Sequence, residues 1–166
     1  FLKIAVPLGL SNAKATFDIP FGNVTRPCDG HEVPALNWCD LGNSEYGLAL
    51  INDCKHGHSV TSSTMRLSIV RLPTDPDPTA DNYEQSVRYA IYPHSGDLHA
   101  AGVVHKAALW RHPPVWTAAI GGGRGLLPAE YSLLQCDSDA CGITAVKRAE
   151  DDDALVIRVF NSTARQ

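Results

Sequence analysis

The 166-residue chain is 44% hydrophobic and 19% charged, in the size range of one compact domain able to bury roughly two-thirds of its unfolded surface. A formal charge of −4 without a Lys/Arg cluster argues against nucleic acid and membrane as partners, because both need a concentrated positive face. No apolar run reaches the ~18 residues that cross a bilayer, the longest being broken at Lys3, Pro7 or Arg71, so the chain reads as soluble.

Residues 1–8 read at once as a strand, and the chain begins at Phe1 without an initiator Met, so a fragment of a larger multidomain protein is expected. Residues 14–21 alternate, with Lys14, Thr16 and Asp18 on one face and Ala15, Phe17 and Ile19 on the other, the period of a half-buried strand. Residues 46–51 are almost wholly apolar, as in a central strand covered on both faces. Alternation returns where Met65, Leu67 and Ile69 oppose Arg66 and Ser68, and where Val87, Tyr89 and Ile91 oppose Ser86, Arg88 and Ala90.

From Asp97, a plausible N-cap, Ala100, Val103, Val104, Ala107 and Ala108 fall at helical spacing until His112-Pro113-Pro114 stops the run, which predicts one short helix. Residues 142–147 and 154–160 bracket the acidic turn Glu150-Asp151-Asp152-Asp153 and read as a hairpin. Loops are marked by Pro73, Pro76, Pro78 and the run Gly121-Gly122-Gly123. About eight to ten short strands joined by polar turns predict an all-β fold: one antiparallel, supersandwich-like β-sandwich over residues 1–166 with one short helix.

Five cysteines, Cys28, Cys39, Cys54, Cys136 and Cys141, cannot all pair, and their spacing fits neither a zinc ribbon nor a CxxC redox motif. Free thiols in a reducing, cytoplasmic setting are expected. A Cys136–Cys141 pair across the polar turn between them stays open. The sequons at Asn23 and Asn161 matter only for a secreted protein.

Few residues suggest chemistry by pattern alone. With 18 Asp and Glu, carboxylate pairs of the kind a glycosidase uses are always available, so their presence decides nothing. Asp75, Asp77 and Asp81 lie among prolines without the Gly and Glu of a calcium loop and read as a solvated loop. His56 and His58 share a face if extended, but no third metal ligand is marked, and His31, His94, His99, His105 and His112 show no recognisable spacing. The run Gly121-Gly122-Gly123-Arg124-Gly125 lacks the Lys-Ser/Thr of a P-loop. Trp38, Trp110 and Trp116 suit either a sugar-stacking platform or core and interface.

One segment is richer than a turn requires. Tyr46-Gly47-Leu48-Ala49-Leu50-Ile51-Asn52-Asp53-Cys54-Lys55-His56-Gly57 ends an apolar strand in a charged, Gly-terminated turn, and it closely resembles a segment of the C-terminal region of glycoside hydrolase family 38 α-mannosidases of the bacterial and cytosolic type. The likeness includes Phe17-Asp18-Ile19-Pro20-Phe21-Gly22, Glu32-Val33-Pro34-Ala35 and Trp38-Cys39-Asp40-Leu41. It continues through residues 65–70, Arg71-Leu72-Pro73, Pro76-Asp77-Pro78 and Arg88-Tyr89-Ala90-Ile91-Tyr92-Pro93-His94. It closes at residues 145–150 and at Ile157-Arg158-Val159. Relatives commonly carry an aromatic residue where His56 stands.

The resemblance implies a retaining α-mannosidase acting on terminal α-mannosides through a zinc ion and two carboxyl groups held in an N-terminal α/β domain. None of those zinc motifs matches this chain, so no catalytic residue and no cofactor is assigned to it. The expected role is non-catalytic support of the catalytic and other domains of the same polypeptide, with an apolar docking face as corollary. Asn52, Asp53, Lys55 and His56 are the candidate substrate-binding residues, at a strand end facing the mannoside cleft of the intact enzyme. The alternatives are a free-standing carbohydrate-binding module, which needs an exposed aromatic platform, and a metal-dependent enzyme built on His56 and His58.

Overall fold

The alternating segments become stacked antiparallel sheets in a computed structural model that describes residues 1–118 and 125–163. In chain order the strands are β1 (Leu2–Pro7), β2 (Lys14–Ile19), β3 (Gly22–Arg26), β4 (Val33–Pro34), β5 (Trp38–Gly42), β6 (Tyr46–Asn52), β7 (Gly57–Thr61), β8 (Thr64–Val70) and β9 (Tyr89–Ser95). The helix α1 (Val103–Arg111) and the strands β10 (Cys141–Arg148) and β11 (Leu155–Asn161) follow. The eleven strands among the described residues exceed the eight to ten expected, because pieces as short as the two-residue β4 leave no periodicity to read. Two units form, Phe1–Arg111 and His112–Gln166.

In the first unit one sheet runs β1-β8-β7-β4 and the other β3-β2-β5-β6-β9, with antiparallel pairing in both. Their facing sides form the core: Phe17, Cys39, Leu41 and Leu50 of the second sheet meet Val60, Met65 and Leu67 of the first. The Cys39 thiol lies 4.0 Å from the Met65 sulfur. On the other side of the second sheet, Trp38, Ala49 and Ile51 pack against Val103 and Ala107 of α1. β5 and β6 are therefore covered by a sheet on one face and a helix on the other, which is why residues 46–51 carry apolar side chains without alternation.

β9 alternates as expected, and one of its two sides is covered. Ala90 and Tyr92 join the α1 cluster, whereas Tyr89 and Ile91 remain 43% and 49% exposed on the edge strand. The helix also starts later than the apolar spacing predicts. Asp97 Oδ1 accepts the N–H groups of His99 and Ala100, each at 2.9 Å, and so caps a turn. Gly102, at φ +64°, then redirects the chain into α1, and Tyr92 donates its hydroxyl hydrogen to the Ala101 carbonyl at 3.0 Å.

The second unit contains the expected hairpin of β10 and β11. Ala149 N–H donates to the Ala154 carbonyl at 2.8 Å and Asp152 Oδ1 accepts the Ala154 N–H at 2.9 Å, which closes the acidic turn. A register shift between Ile143 and Ala145 places the Thr144 hydroxyl where it donates to the Arg158 carbonyl at 3.2 Å. All five cysteine thiols are unpaired, including Cys136 and Cys141.

Candidate functional site

β6 ends because Asn52 offers the backbone an alternative to the ladder. Its side-chain Oδ1 accepts the Lys55 N–H at 2.9 Å, folding residues 52–55 into a side-chain-closed turn, while its own N–H donates to the Asn37 carbonyl at 2.9 Å. Asn52 is fully buried, so it shapes the turn from beneath while Asp53, Lys55 and His56 reach the surface.

Each of those three is tied to a different part of the fold. The Asp53 carboxylate accepts the Arg88 N–H at 3.2 Å and the Arg88 Nε–H at 3.0 Å, and the same guanidinium sits 5.4 Å from the centre of the Trp110 ring. Lys55 Nζ donates to Gln85 Oε1 at 3.0 Å. His56 carries its proton on Nδ1, which faces the carbonyls of Ala35 and Leu36 at 3.2 and 3.1 Å. Gly57 ends the turn for a steric reason: a Cβ there would stand 2.7 Å from Glu32 Oε1, whose carboxylate is already held by Lys3 and Ser68.

The electrostatics follow from these contacts. Burial alone raises the Asp53 pKa, but hydrogen bonds from Cys54 and Arg88 and the charge of Arg88 outweigh it and hold the carboxyl below its usual value. Burial and the neighbouring Asp53 push the exposed Cys54 thiol up, away from a reactive thiolate. Beneath the turn, Asp18 Oδ2 accepts the N–H and the Nδ2–H of Asn37 at 2.9 and 2.7 Å, and Arg111 at the end of α1 donates to Asn37 Oδ1. Burial raises the Asp18 pKa against those hydrogen bonds and the Arg111 charge.

Three buried atoms have no hydrogen-bond partner among the described residues: Asn52 Nδ2, Gln85 Nε2 and His58 Nε2. His58 points into the core at 1% exposure with Nδ1 3.4 Å from the His56 carbonyl, and burial lowers its pKa to about 4, so the ring is neutral. His56 and His58 therefore do not converge on one metal position. No group of three or more His, Cys, Asp or Glu side chains suited to a metal ion occurs among the described residues. The described residues do not fit the zinc that the family resemblance implies for the parent enzyme.

The remaining sequence candidates separate cleanly. Asp77 Oδ1 accepts the backbone N–H and the hydroxyl of Thr79 at 2.8 and 2.7 Å, a local turn. Trp38 is core, Trp110 packs partly buried under Arg88, and Trp116, 87% exposed, belongs to the other unit. The Gly121–Arg124 part of the glycine run lies outside the described residues. Sequence reasoning missed Asn37 and Gln85, which bond the turn residues Asn52 and Lys55, and Arg111, which reaches the turn through Asn37 across 74 positions. Arg88 had a signal, as the first residue of the Arg88-Tyr89-Ala90-Ile91-Tyr92-Pro93-His94 stretch.

Residues 1–79 match the family model described as "Glycosyl hydrolases family 38 C-terminal domain". The chain is 34% identical over 176 residues to mouse alpha-mannosidase 2C1, a match covering 98% of this chain and 16% of that protein. It is 30% identical over 156 residues to alpha-mannosidase G of Dictyostelium discoideum, covering 89% of this chain and 14% of that one. In fold it is similar to a crystal structure of a glycosyl hydrolase family 38 protein from Enterococcus faecalis. The TM-score is 0.82 at 22% identity, over 98% of this chain and 21% of that one. The chain thus spans about a sixth of the curated relatives' length.

Proposed function

The chain belongs to glycosyl hydrolase family 38, in its C-terminal domain, and from that premise we propose that it is a non-catalytic part of a retaining α-mannosidase that hydrolyses terminal α-mannosides. In this reading it buttresses the catalytic domain, and the turn at residues 52–56 forms one wall of the mannoside cleft. The observation that carries the proposal is the construction of that turn. Asn52, Gln85 and Arg88 lock it from three sides, yet Lys55 and His56 stay at the surface, a donor-rich tip on a rigid support. Lys55 Nζ has two further N–H groups to offer a sugar hydroxyl or a carbonyl of the neighbouring domain.

Partners for this chain are then the other domains of the same polypeptide and, at the turn, the mannoside itself. Exposed apolar side chains support such docking: Leu133, Leu155 and Val159 are 77%, 58% and 56% exposed. Five unpaired thiols support a cytoplasmic enzyme. Among the described residues no helix is long and apolar enough to cross a membrane. The zinc and the carboxyl pair belong, in this reading, to the catalytic domain of the parent.

Lys55→Ala in the intact enzyme tests the proposal. A loss of at least about tenfold in kcat/KM for an α-mannoside is expected, the scale of one hydrogen bond from a charged donor. An unchanged kcat/KM removes the turn from the cleft.

A further inference from the structure

Further along β6 from the Lys55 turn, where Gly47 pairs with His94 and Ala49 with Asp40, the sheet carries a second construction that the mannosidase reading does not use. Asp40 and His94 form a buried pair, their side chains 4% and 2% exposed and His94 Nε2 2.8 Å from Asp40 Oδ1. His94 Nδ1 lies 3.1 Å from the Gly96 carbonyl, which only accepts, so Nδ1 bears a hydrogen and a single proton is held between Nε2 and the carboxyl group. Room for the pair comes from two glycines opposite each other in the β5/β6 ladder. A Cβ at position 47 would stand 2.7 Å from His94 Cε1, and one at position 42 would stand 3.3 Å from Asp40 Oδ2 and 3.0 Å from the Gly47 Cα. The imidazole thus fixes the carboxyl group from behind, and Oδ2 accepts no hydrogen bond among the described residues.

Asp40 lies in the floor of a cleft of about 640 Å³, within the range of small-molecule sites. Lys14 and Thr16 of β2 share that floor, in register with Gly42 and Asp40 respectively, and Asn12, Glu45 and Asp97 stand around it. Lys14 makes no ion pair or hydrogen bond through its ammonium group among the described residues. The charges discriminate between ligands. Asp40, Glu45 and Asp97 disfavour an anion, and the Lys14 ammonium, which lines the same cleft, disfavours a metal ion. A neutral ligand whose neighbouring hydroxyls each donate and accept satisfies both signs at once.

We propose that this cleft is a saccharide-binding site distinct from the Lys55 turn, in which Asp40 Oδ2 accepts a hydrogen bond from one hydroxyl of a vicinal diol and Lys14 Nζ donates to the other. Amide NMR spectra of the full 166-residue chain, titrated with methyl α-D-mannopyranoside in millimolar excess, test it. The expected result is saturable shifts at Gly42 and Gly47, with affinity weakened about tenfold by Lys14→Ala, a change at an exposed residue that leaves the core untouched. The inference is overturned by no shifts at these glycines, by the same shifts on adding Ca²⁺ in place of the sugar, or by unaltered affinity in Lys14→Ala. Shifts confined to residues 52–57 overturn it too, while leaving the reading of the Lys55 turn intact.

Discussion

β6 and β11 are both seven-residue strands rich in apolar side chains, yet Leu50 and Ile51 of the first are 0% and 2% exposed, whereas Val156 and Ile157 of the second are each 41% exposed. The difference lies in what covers them. β6 has neighbours on both edges, a sheet over one face and α1 over the other, while among the described residues β11 pairs only with β10. A two-stranded hairpin is marginal by itself, so its apolar residues point to stabilisation gained from surfaces beyond the pair. Apolar composition sets the kind of element, and burial depends on how many layers the rest of the chain builds around it.

The comparison sharpens in stability measurements. Trp38→Ala removes the largest fully buried side chain and is expected to lower the unfolding free energy by about 3–5 kcal/mol, read from urea denaturation. A smaller loss means that the α1 face is not a tightly packed layer.

Acid probes the same unit through His58. Its folded pKa of about 4 lies below the ordinary 6.5, so the unfolded chain takes up a proton that the folded chain refuses. This contribution to stability is whole above 6.5, falls as the pH drops from 6.5 to 4, and is worth about 3 kcal/mol across that window. Asp18 and Asp40 act in the opposite sense: burial raises their folded pKa values above 3.8, so acid relieves a penalty that they carry. Comparing the wild type with His58→Leu isolates the imidazole. The variant is expected to lose less stability between pH 7 and pH 4.5, and parallel profiles contradict a buried neutral His58.

The hairpin gives the smallest effects. Lys147→Ala breaks the 2.6 Å pair with Glu150 and Val159→Ala trims an exposed side chain, and each is expected to change stability by less than about 0.5 kcal/mol in this chain. A large loss from Val159→Ala means that β11 is packed far more tightly than its exposure indicates.

Much of this architecture is legible in the sequence, and the gaps have physical causes. The unbroken apolar run at residues 46–51 announces a strand covered twice, and the acidic turn at residues 150–153 announces the hairpin. Period-2 spacing at residues 86–91 separates two faces without saying which one another layer will cover, so the burial of Ala90 and Tyr92 beneath α1 was not readable. At the turn, Asn52, Asp53, Lys55 and His56 stand out as a charged end to an apolar strand, but their supports do not. Asn37, Gln85 and Arg111 join them only through tertiary approach. The Asp40–His94 pair spans 54 positions, and its one local sign is a pair of glycines, Gly42 and Gly47, in strands where a side chain would otherwise be favoured.

We propose that the rigid turn after β6, and not the hairpin surface, works at the mannoside cleft of the intact enzyme. The most direct measurement is kcat/KM for an α-mannoside in the intact enzyme, comparing Lys55→Ala with Lys147→Ala as a control of equal charge change. The account predicts a loss of at least about tenfold for the first and none for the second, with both variants folded. Equal activity in the two variants contradicts it.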